Sequence, residues 1–323
     1  MKLTDIYWHL RSDIGKIEKE IERNINAEHP VLQEASAHIL KAGGKRIRPV
    51  FVLLAAQFGT YNLDEIKKIA VPLELIHMGS LVHDDVIDEA ELRRGKKTIK
   101  AKWDNKVAMY TGDYMFARAI EIATESDSPE VHQLLSEAMV EMCIGEVEQI
   151  RDQYNWNQNL RMYFRRIKRK TALLISVSCQ LGAVAAGAPV LYQRELARYG
   201  YYTGMAFQIT DDILDFTGTE KELGKPAGSD LLQGNITLPA LYAMHHDPSI
   251  KQRVISYLNG ADGSGENIKQ TIKLIKESGA VGYSKEMADR YLEKSREAMA
   301  ELPDIQAKNA LIQIADYIGS RKF

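Results

Sequence analysis

Cysteine is scarce in this chain of 323 residues, which contains only Cys143 and Cys179. No CxxC pair and no cluster of cysteine with histidine has the spacing of a zinc site. These absences exclude a zinc finger and a disulfide framework. Two isolated cysteines in a long chain are typical of a reducing compartment, so we predict a cytoplasmic protein.

Long apolar runs are also missing. The first twenty residues carry charges throughout and have no apolar core, so we expect no secretory signal. The longest stretch without charge, residues 171–193, contains Ser, Gln, Gly and Pro. This composition predicts a buried helix with small side chains rather than a membrane span.

The chain has no strong excess of either charge, since 42 Lys and Arg stand against 44 Asp and Glu, a formal net charge of −2. The basic residues form no continuous stripe with interleaved aromatic residues, which excludes a nucleic-acid partner. Charge in this protein must therefore act locally.

Helical periodicity dominates the remaining sequence, and strand-like alternation is almost absent. No Gly/Ser linker or low-complexity tract divides the chain. The pattern predicts an all-α protein with about ten helices in a bundle, formed by one domain over residues 1–323. Residues after about 245 are amphipathic and receive no functional assignment.

One acidic motif occurs twice. The sequence DDVID at 84–88 recurs as DDILD at 211–215, and each copy ends an apolar helical segment and precedes basic residues. Residues i and i+4 share a helix face, so Asp84 and Asp88 point the same way, as do Asp211 and Asp215. Three carboxylates at the negative end of a helix repel one another unless a cation is bound.

Mg²⁺ suits such a site because it prefers oxygen ligands and commonly bridges carboxylates to substrate phosphates. Two copies of the motif predict several Mg²⁺ ions around one diphosphate. A solvated acidic helix end would be the simpler interpretation of a single copy, but a second copy with the same flanks disfavours it.

A third basic element is GGKRIRP at 43–49, where two glycines precede three cations within four residues. It lacks the spacing of a P-loop. Alone it indicates no more than a turn between helices. Beside two metal–diphosphate motifs, it predicts a second diphosphate site that needs no metal.

These motifs together resemble the trans-isoprenyl (polyprenyl) diphosphate synthase family. The resemblance rests on GGKRIRP at 43–49, ELIHMGSLVHDDVIDEAELRRGKKT at 74–98, KTA at 170–172, FQITDDILD at 207–215 and KPAGSDLLQGNITLP at 225–239. It implies a helical bundle around a central cavity, with substrate between the two aspartate motifs. The closing YIGSRKF is similar to that of two-component members of the family.

The resemblance also implies roles for individual residues. Mg²⁺ would be held by Asp84, Asp85, Asp88, Asp211, Asp212 and Asp215. The allylic diphosphate would contact Arg93, Lys170, Thr171, Gln208 and Lys225. Isopentenyl diphosphate would be bound by Lys45, Arg48, His77 and Arg94. Catalysis would depend on Asp84, Asp88, Arg93, Lys170, Asp211 and Lys225.

The implied reaction adds isopentenyl diphosphate repeatedly to an allylic diphosphate such as farnesyl diphosphate. The resemblance implies a long product, a heptaprenyl diphosphate for menaquinone side chains. Geranylgeranyl, hexaprenyl or octaprenyl products remain alternatives. It further implies a smaller regulatory subunit or a homodimer, and at most transient membrane contact for so hydrophobic a product.

Product length depends on the wall below the first aspartate motif. Gly79 and Ser80 lie one helical turn before Asp84, and Ile76 lies two turns before it. A bulky aromatic at these positions would stop the growing tail, so small residues predict a product longer than fifteen carbons. The alternative is that they only permit close helix packing.

Three other interpretations fit the sequence less well. A terpene cyclase uses the same ionisation but has no need of GGKRIRP. A metal phosphohydrolase built on His83–Asp84 would need further histidines and gives the repeated motif no role. A non-catalytic partner subunit should have lost some of the carboxylates, whereas both motifs are complete here. One departure from the family pattern is Asn235, where many members carry lysine.

Overall fold

The computed structural model describes residues 3–219, 226–260 and 266–321, and over these ranges the predicted all-α fold is confirmed. The helices, in chain order, are α1 (Leu3–Asn24), α2 (Pro30–Lys41), α3 (Ile47–Ala56), α4 (Leu63–Ile87), α5 (Ile99–Lys102), α6 (Asn105–Ala123), α7 (Pro129–Asp152), α8 (Leu160–Ile167), α9 (Leu173–Ala185), α10 (Val190–Thr217), α11 (Ser229–Leu232), α12 (Leu238–His246), α13 (Pro248–Leu258), α14 (Glu266–Glu277), α15 (Ala280–Ala298) and α16 (Gln306–Ser320). A π-helical turn, Lys168–Ala172, joins α8 to α9.

The described residues hold more helices than the ten or so predicted. Two of them, α5 and α11, have only four residues each. Others are separated by a single capping residue: Asp247 ends α12 and accepts the Ser249 N–H at 2.8 Å to begin α13. A helix break formed by a capping side chain needs no glycine, so the sequence pattern did not indicate it.

One short hairpin interrupts the helices. Strand β1 (Leu92–Arg93) pairs antiparallel with β2 (Lys96–Lys97). Both turn residues, Arg94 and Gly95, have positive φ, as a type I′ hairpin turn requires. The sequence analysis did not predict this strand pairing.

The chain divides into two compact units that alternate along the sequence. The first unit comprises residues 1–139, 174–197 and 301–313; the second comprises 140–173, 198–300 and 314–323. The single domain expected over 1–323 stays a prediction. In the described part of the chain, no helix is both long enough and apolar enough to span a bilayer.

Within the first unit, α4 packs along α6 at very close range. A Cβ on Gly79 would lie 3.1 Å from the carbonyl oxygen of Gly112 and 3.1 Å from the ring of Phe116. The second unit has its own core, in which Tyr163 and Phe216 are fully buried against α10, α12 and α14 to α15. These cores fix α4 and α10, the two helices that end in aspartate motifs.

Candidate active site

The first aspartate motif lies at the end of α4, as predicted. Asp88 caps the helix, and its N–H donates to the Asp84 carbonyl at 2.8 Å, so the two residues are one turn apart on one face. Asp85 points elsewhere and is buried. Both Nε and Nη2 of Arg93 lie 2.8 Å from Asp85 Oδ1. Burial raises the pKa of Asp85, while Arg93 opposes the rise.

The β1–β2 hairpin brings the two basic segments of the first unit together. The Arg94 guanidinium donates to the carbonyl of Gly43, and the Lys96 ammonium donates to the carbonyl of Lys41. A Cβ on Gly44 would lie only 2.7 Å from Arg94 Nη1, and Gly44 has a φ of +155°. This glycine therefore makes room for Arg94, a role that the sequence did not reveal.

Buried cations and a neutral histidine surround this contact. Burial lowers the pKa of Arg48 to about 10, with an opposing contribution from Glu74 and a further lowering by Arg94. Burial, followed by the charges of Arg48 and Arg94, holds the pKa of His77 well below its usual value. Within the described residues, Arg48 Nε has no hydrogen-bond partner. Glu74 balances only part of this positive charge, so an anion would stabilise the patch further, because buried charges are costly unless they are paired.

The second aspartate motif ends α10, in the second unit. Asp212 is buried and accepts hydrogen bonds from the Tyr163 hydroxyl at 2.6 Å and from Gln208 Nε2 at 2.9 Å. Burial and the nearby Asp230 raise the pKa of Asp212 to about 7. Asp215 is also buried, and its Oδ2 accepts the backbone N–H of Asp230 at 3.2 Å.

Asp211 is more accessible than Asp212 and Asp215. Its Oδ1 lies 2.5 Å from Nη1 of Arg321, at the end of the described chain, and the guanidinium of Arg321 also covers the ring of Phe207. The guanidinium charge of Arg321 therefore offsets the negative charge of Asp211. Sequence reasoning assigned no role to Arg321.

The π-helical turn presents the predicted Lys170 and Thr171. Thr171 Oγ1 donates to Gln208 Oε1 at 2.7 Å, and Lys170 Nζ lies 3.1 Å from Glu146. Gly204 permits this arrangement, since a Cβ there would lie 2.6 Å from Ala172 Cα. Turns of π-helix inside α-helices are frequent at functional sites.

The predicted residues thus fall into two groups. The first unit holds Asp84, Asp85, Asp88, Arg93, Arg94, Lys45, Arg48, His77, Ile76, Gly79 and Ser80, and the second holds Lys170, Thr171, Gln208, Asp211, Asp212 and Asp215. Lys225 lies outside the described residues. Sequence reasoning missed Tyr163 and Arg321, which bond directly to Asp212 and Asp211. It also missed Glu74, which accepts a hydrogen bond from Arg46 and whose charge acts on Arg48.

The three residues assigned to product length have different surroundings. Ile76 is buried, Gly79 faces α6, and Ser80 is half-buried with its hydroxyl donating to the His77 carbonyl at 2.8 Å. Gly79 therefore also serves close helix packing, the alternative noted above. A role in product length stays a prediction for all three.

The carboxylates suit a hard cation that is shared with substrate. Among the residues that the structure describes, no three His, Cys, Asp or Glu side chains converge on one point. Mg²⁺ usually takes one or two carboxylates and completes its shell with phosphate oxygens and water. The donor chemistry of both aspartate motifs fits that mode better than an all-protein cage.

Two carboxylate motifs beside cationic groups, on long helices, define a helical enzyme of the diphosphate-ionising class. A family model described as "Polyprenyl synthetase" matches residues 29–275. The chain belongs to this polyprenyl synthetase family, which confirms the resemblance.

Comparisons with individual proteins support the same family membership. The chain is 54% identical over 323 residues to heptaprenyl diphosphate synthase component 2 of Bacillus subtilis (strain 168), covering 100% of this chain and 92% of the relative. A crystal structure of heptaprenyl diphosphate synthase from Staphylococcus aureus is similar with a TM-score of 0.92 at 43% identity, over 97% of this chain and 98% of the other. Polyprenyl synthase from Caulobacter crescentus CB15, complexed with calcium and isoprenyl diphosphate, gives a TM-score of 0.93 at 32% identity, over 99% and 98%.

Proposed function

We propose that the chain is a trans-prenyltransferase that adds isopentenyl diphosphate repeatedly to an allylic diphosphate, with farnesyl diphosphate as primer and heptaprenyl diphosphate as product. The product would supply menaquinone side chains. The observation that carries the proposal is the pair of complete aspartate motifs, each with a basic partner at ion-pair distance. The names of the relatives support the chain length.

The reaction begins when the allylic carbon–oxygen bond ionises and negative charge builds on the departing diphosphate. Mg²⁺ bound at the carboxylates would stabilise that charge as a Lewis acid. Arg93, Lys170 and Lys225 would add hydrogen bonds to the phosphate oxygens. Fixed charges in a site that excludes water stabilise such a transition state because they need no reorganisation.

Isopentenyl diphosphate would bind in the first unit, where buried Arg48 lies near two exposed cations. Lys45, Arg48 and Arg94 supply positive charge, and His77, held neutral, can donate one hydrogen bond without adding charge. The double bond then attacks the allylic cation and a proton is lost to the released diphosphate. Water must be kept away, because it would quench the cation.

A second subunit also belongs to the proposal. The name of the Bacillus relative, component 2, implies a further component. Four large apolar residues of α7 are exposed at helical spacing, Val140, Ile144, Val147 and Ile150, with exposed fractions of 58%, 39%, 66% and 50%. An exposed apolar stripe of this kind marks a protein interface. We assign it to a smaller regulatory subunit in the cytoplasm, with a homodimer as the competing arrangement.

Product analysis tests the proposal. The purified chain, alone and with a co-expressed small subunit, is incubated with labelled isopentenyl diphosphate, farnesyl diphosphate and Mg²⁺, and the products are separated by length. We expect a ladder that ends near 35 carbons and is lost in Asp84→Ala. Asp289→Ala, an exposed aspartate on α15, is the matched control and should keep the ladder. Absence of product under both conditions would refute the enzyme and favour a non-catalytic partner.

A further inference from the structure

Helix α1 contacts the basic loop of the candidate active site although it lies outside the region matched by the family model, which begins at residue 29. The Tyr7 hydroxyl donates to the Lys45 carbonyl at 2.6 Å. Glu18 Oε1 accepts from Arg46 Nε at 3.0 Å. Tyr7 and Glu18 are eleven residues apart, about three helical turns, so both project from one face of α1.

The contact with α1 influences the backbone conformation of the loop through Arg46. It is buried and has a φ of +48°, a left-handed conformation that an arginine adopts only against a steric cost. Its guanidinium spans three elements, since it also donates to Glu74 Oε1 at 3.2 Å and to the Leu40 carbonyl at 3.2 Å. The left-handed backbone is therefore held by side-chain bonds rather than by local preference.

The loop carries the groups that would bind isopentenyl diphosphate. Lys45 directly precedes Arg46, and Arg48 follows two residues later in the first turn of α3. Rotation at Arg46 would redirect both cations. We propose that α1 is a positioning element for the isopentenyl diphosphate site, acting through Tyr7 on the Lys45 carbonyl and through Glu18 on Arg46. This inference rests on the proposed function for the identity of the ligand.

The attachment of α1 does not depend on these two side chains. Four residues of its apolar face, Ile6, Leu10, Ile17 and Ile21, are buried in the first unit with exposed fractions of 6% or less. Burial of whole aliphatic side chains contributes far more than one hydrogen bond at a half-exposed carboxylate. The hydroxyl and the charge can therefore be removed while α1 stays docked.

The test is the double variant Tyr7→Phe/Glu18→Gln, which keeps both side-chain shapes. The control is Glu20→Gln on the same helix, whose carboxylate faces the exposed Arg23 at 3.5 Å. Loss of the Tyr7 hydrogen bond and loss of the Glu18 charge should each weaken binding about threefold, so the double variant should raise the KM for isopentenyl diphosphate about tenfold. The KM for farnesyl diphosphate and the kcat should change less than twofold, and the control should match the parent.

A second measurement needs no catalysis. Titration of the chain with isopentenyl diphosphate alone, followed by calorimetry, should show the same tenfold loss. Equal binding by the double variant and the parent would overturn the inference while the proposed function stands. A parallel rise in both KM values, with a lower melting temperature, would also overturn it by indicating a merely structural role. Absence of binding by the parent itself would refute the proposed function together with the inference.

Discussion

Gly204→Ala should disturb the candidate site residues of the second unit, because α10 approaches the π-helical turn too closely for any side chain at this position. An added Cβ would lie 2.6 Å from Ala172 Cα and 3.0 Å from Ala172 Cβ. Carbon atoms in contact are normally about 3.5–4.0 Å apart, so the two helices must separate by about 1 Å. Overpacking of this kind costs about 1–3 kcal/mol of stability.

The separation has a chemical consequence four residues along α10. The Thr171–Gln208 hydrogen bond of 2.7 Å would lengthen beyond bonding distance, and Gln208 would lose one of the contacts that orient it toward Asp212. We therefore expect product formation to fall by about tenfold or more under conditions in which the variant is still folded. The measurements are the urea midpoint and the rate of isopentenyl diphosphate incorporation.

Gly282→Ala is the matched control. Gly282 lies within α15 in the same unit, and an added Cβ would meet no atom within 4 Å. Gly282 is the third residue of α15, where alanine is favoured over glycine by less than the roughly 1 kcal/mol of a helix interior, so this variant should unfold at the same or a slightly higher urea concentration with unchanged activity. A Gly204→Ala variant with the stability and activity of the parent would refute the packing argument.

Three further variants test other parts of the site. Tyr163→Phe removes the 2.6 Å hydrogen bond to Asp212 and should raise the Mg²⁺ concentration for half-maximal activity about fivefold, measured by Mg²⁺ titration; an unchanged requirement would contradict a positioning role. Ser80→Phe should shorten the product ladder, and an unaltered ladder would show that the tail does not pass this position. Gly44→Ala should raise the KM for isopentenyl diphosphate about tenfold or more, because the added Cβ would displace the Arg94 side chain. An unchanged KM would show that Arg94 does not bind this substrate.

The helices that carry the motifs could be predicted because their signals are local. The apolar segments before Asp84 and Asp211 predicted helices that end in carboxylates, and α4 and α10 end there. The shared face of Asp84 and Asp88 follows from helix geometry alone. Family membership then followed from motifs with specific flanks.

Contacts between distant residues could not be predicted in this way. Arg94 reaches Gly43 across 51 positions, and Tyr163 reaches Asp212 across 49. Nothing in a basic segment such as RMYFRRIKRK distinguishes a tyrosine that supports a carboxylate from one that fills a core. The π-helical turn could not be predicted either, since it depends on the close approach to α10 that Gly204 allows.

The first and second aspartates of the motif have different environments, and the difference is the same in both copies. The sequence alone does not show it. In each copy the second aspartate is buried and held by protein donors: Arg93 binds Asp85, and Tyr163 binds Asp212. The first aspartate of each copy is more accessible. A carboxylate already committed to buried hydrogen bonds orients its helix end, whereas an accessible one can exchange its partner for a cation. We therefore expect Asp84 and Asp211 to bind metal directly, and Asp85 and Asp212 to hold them in place.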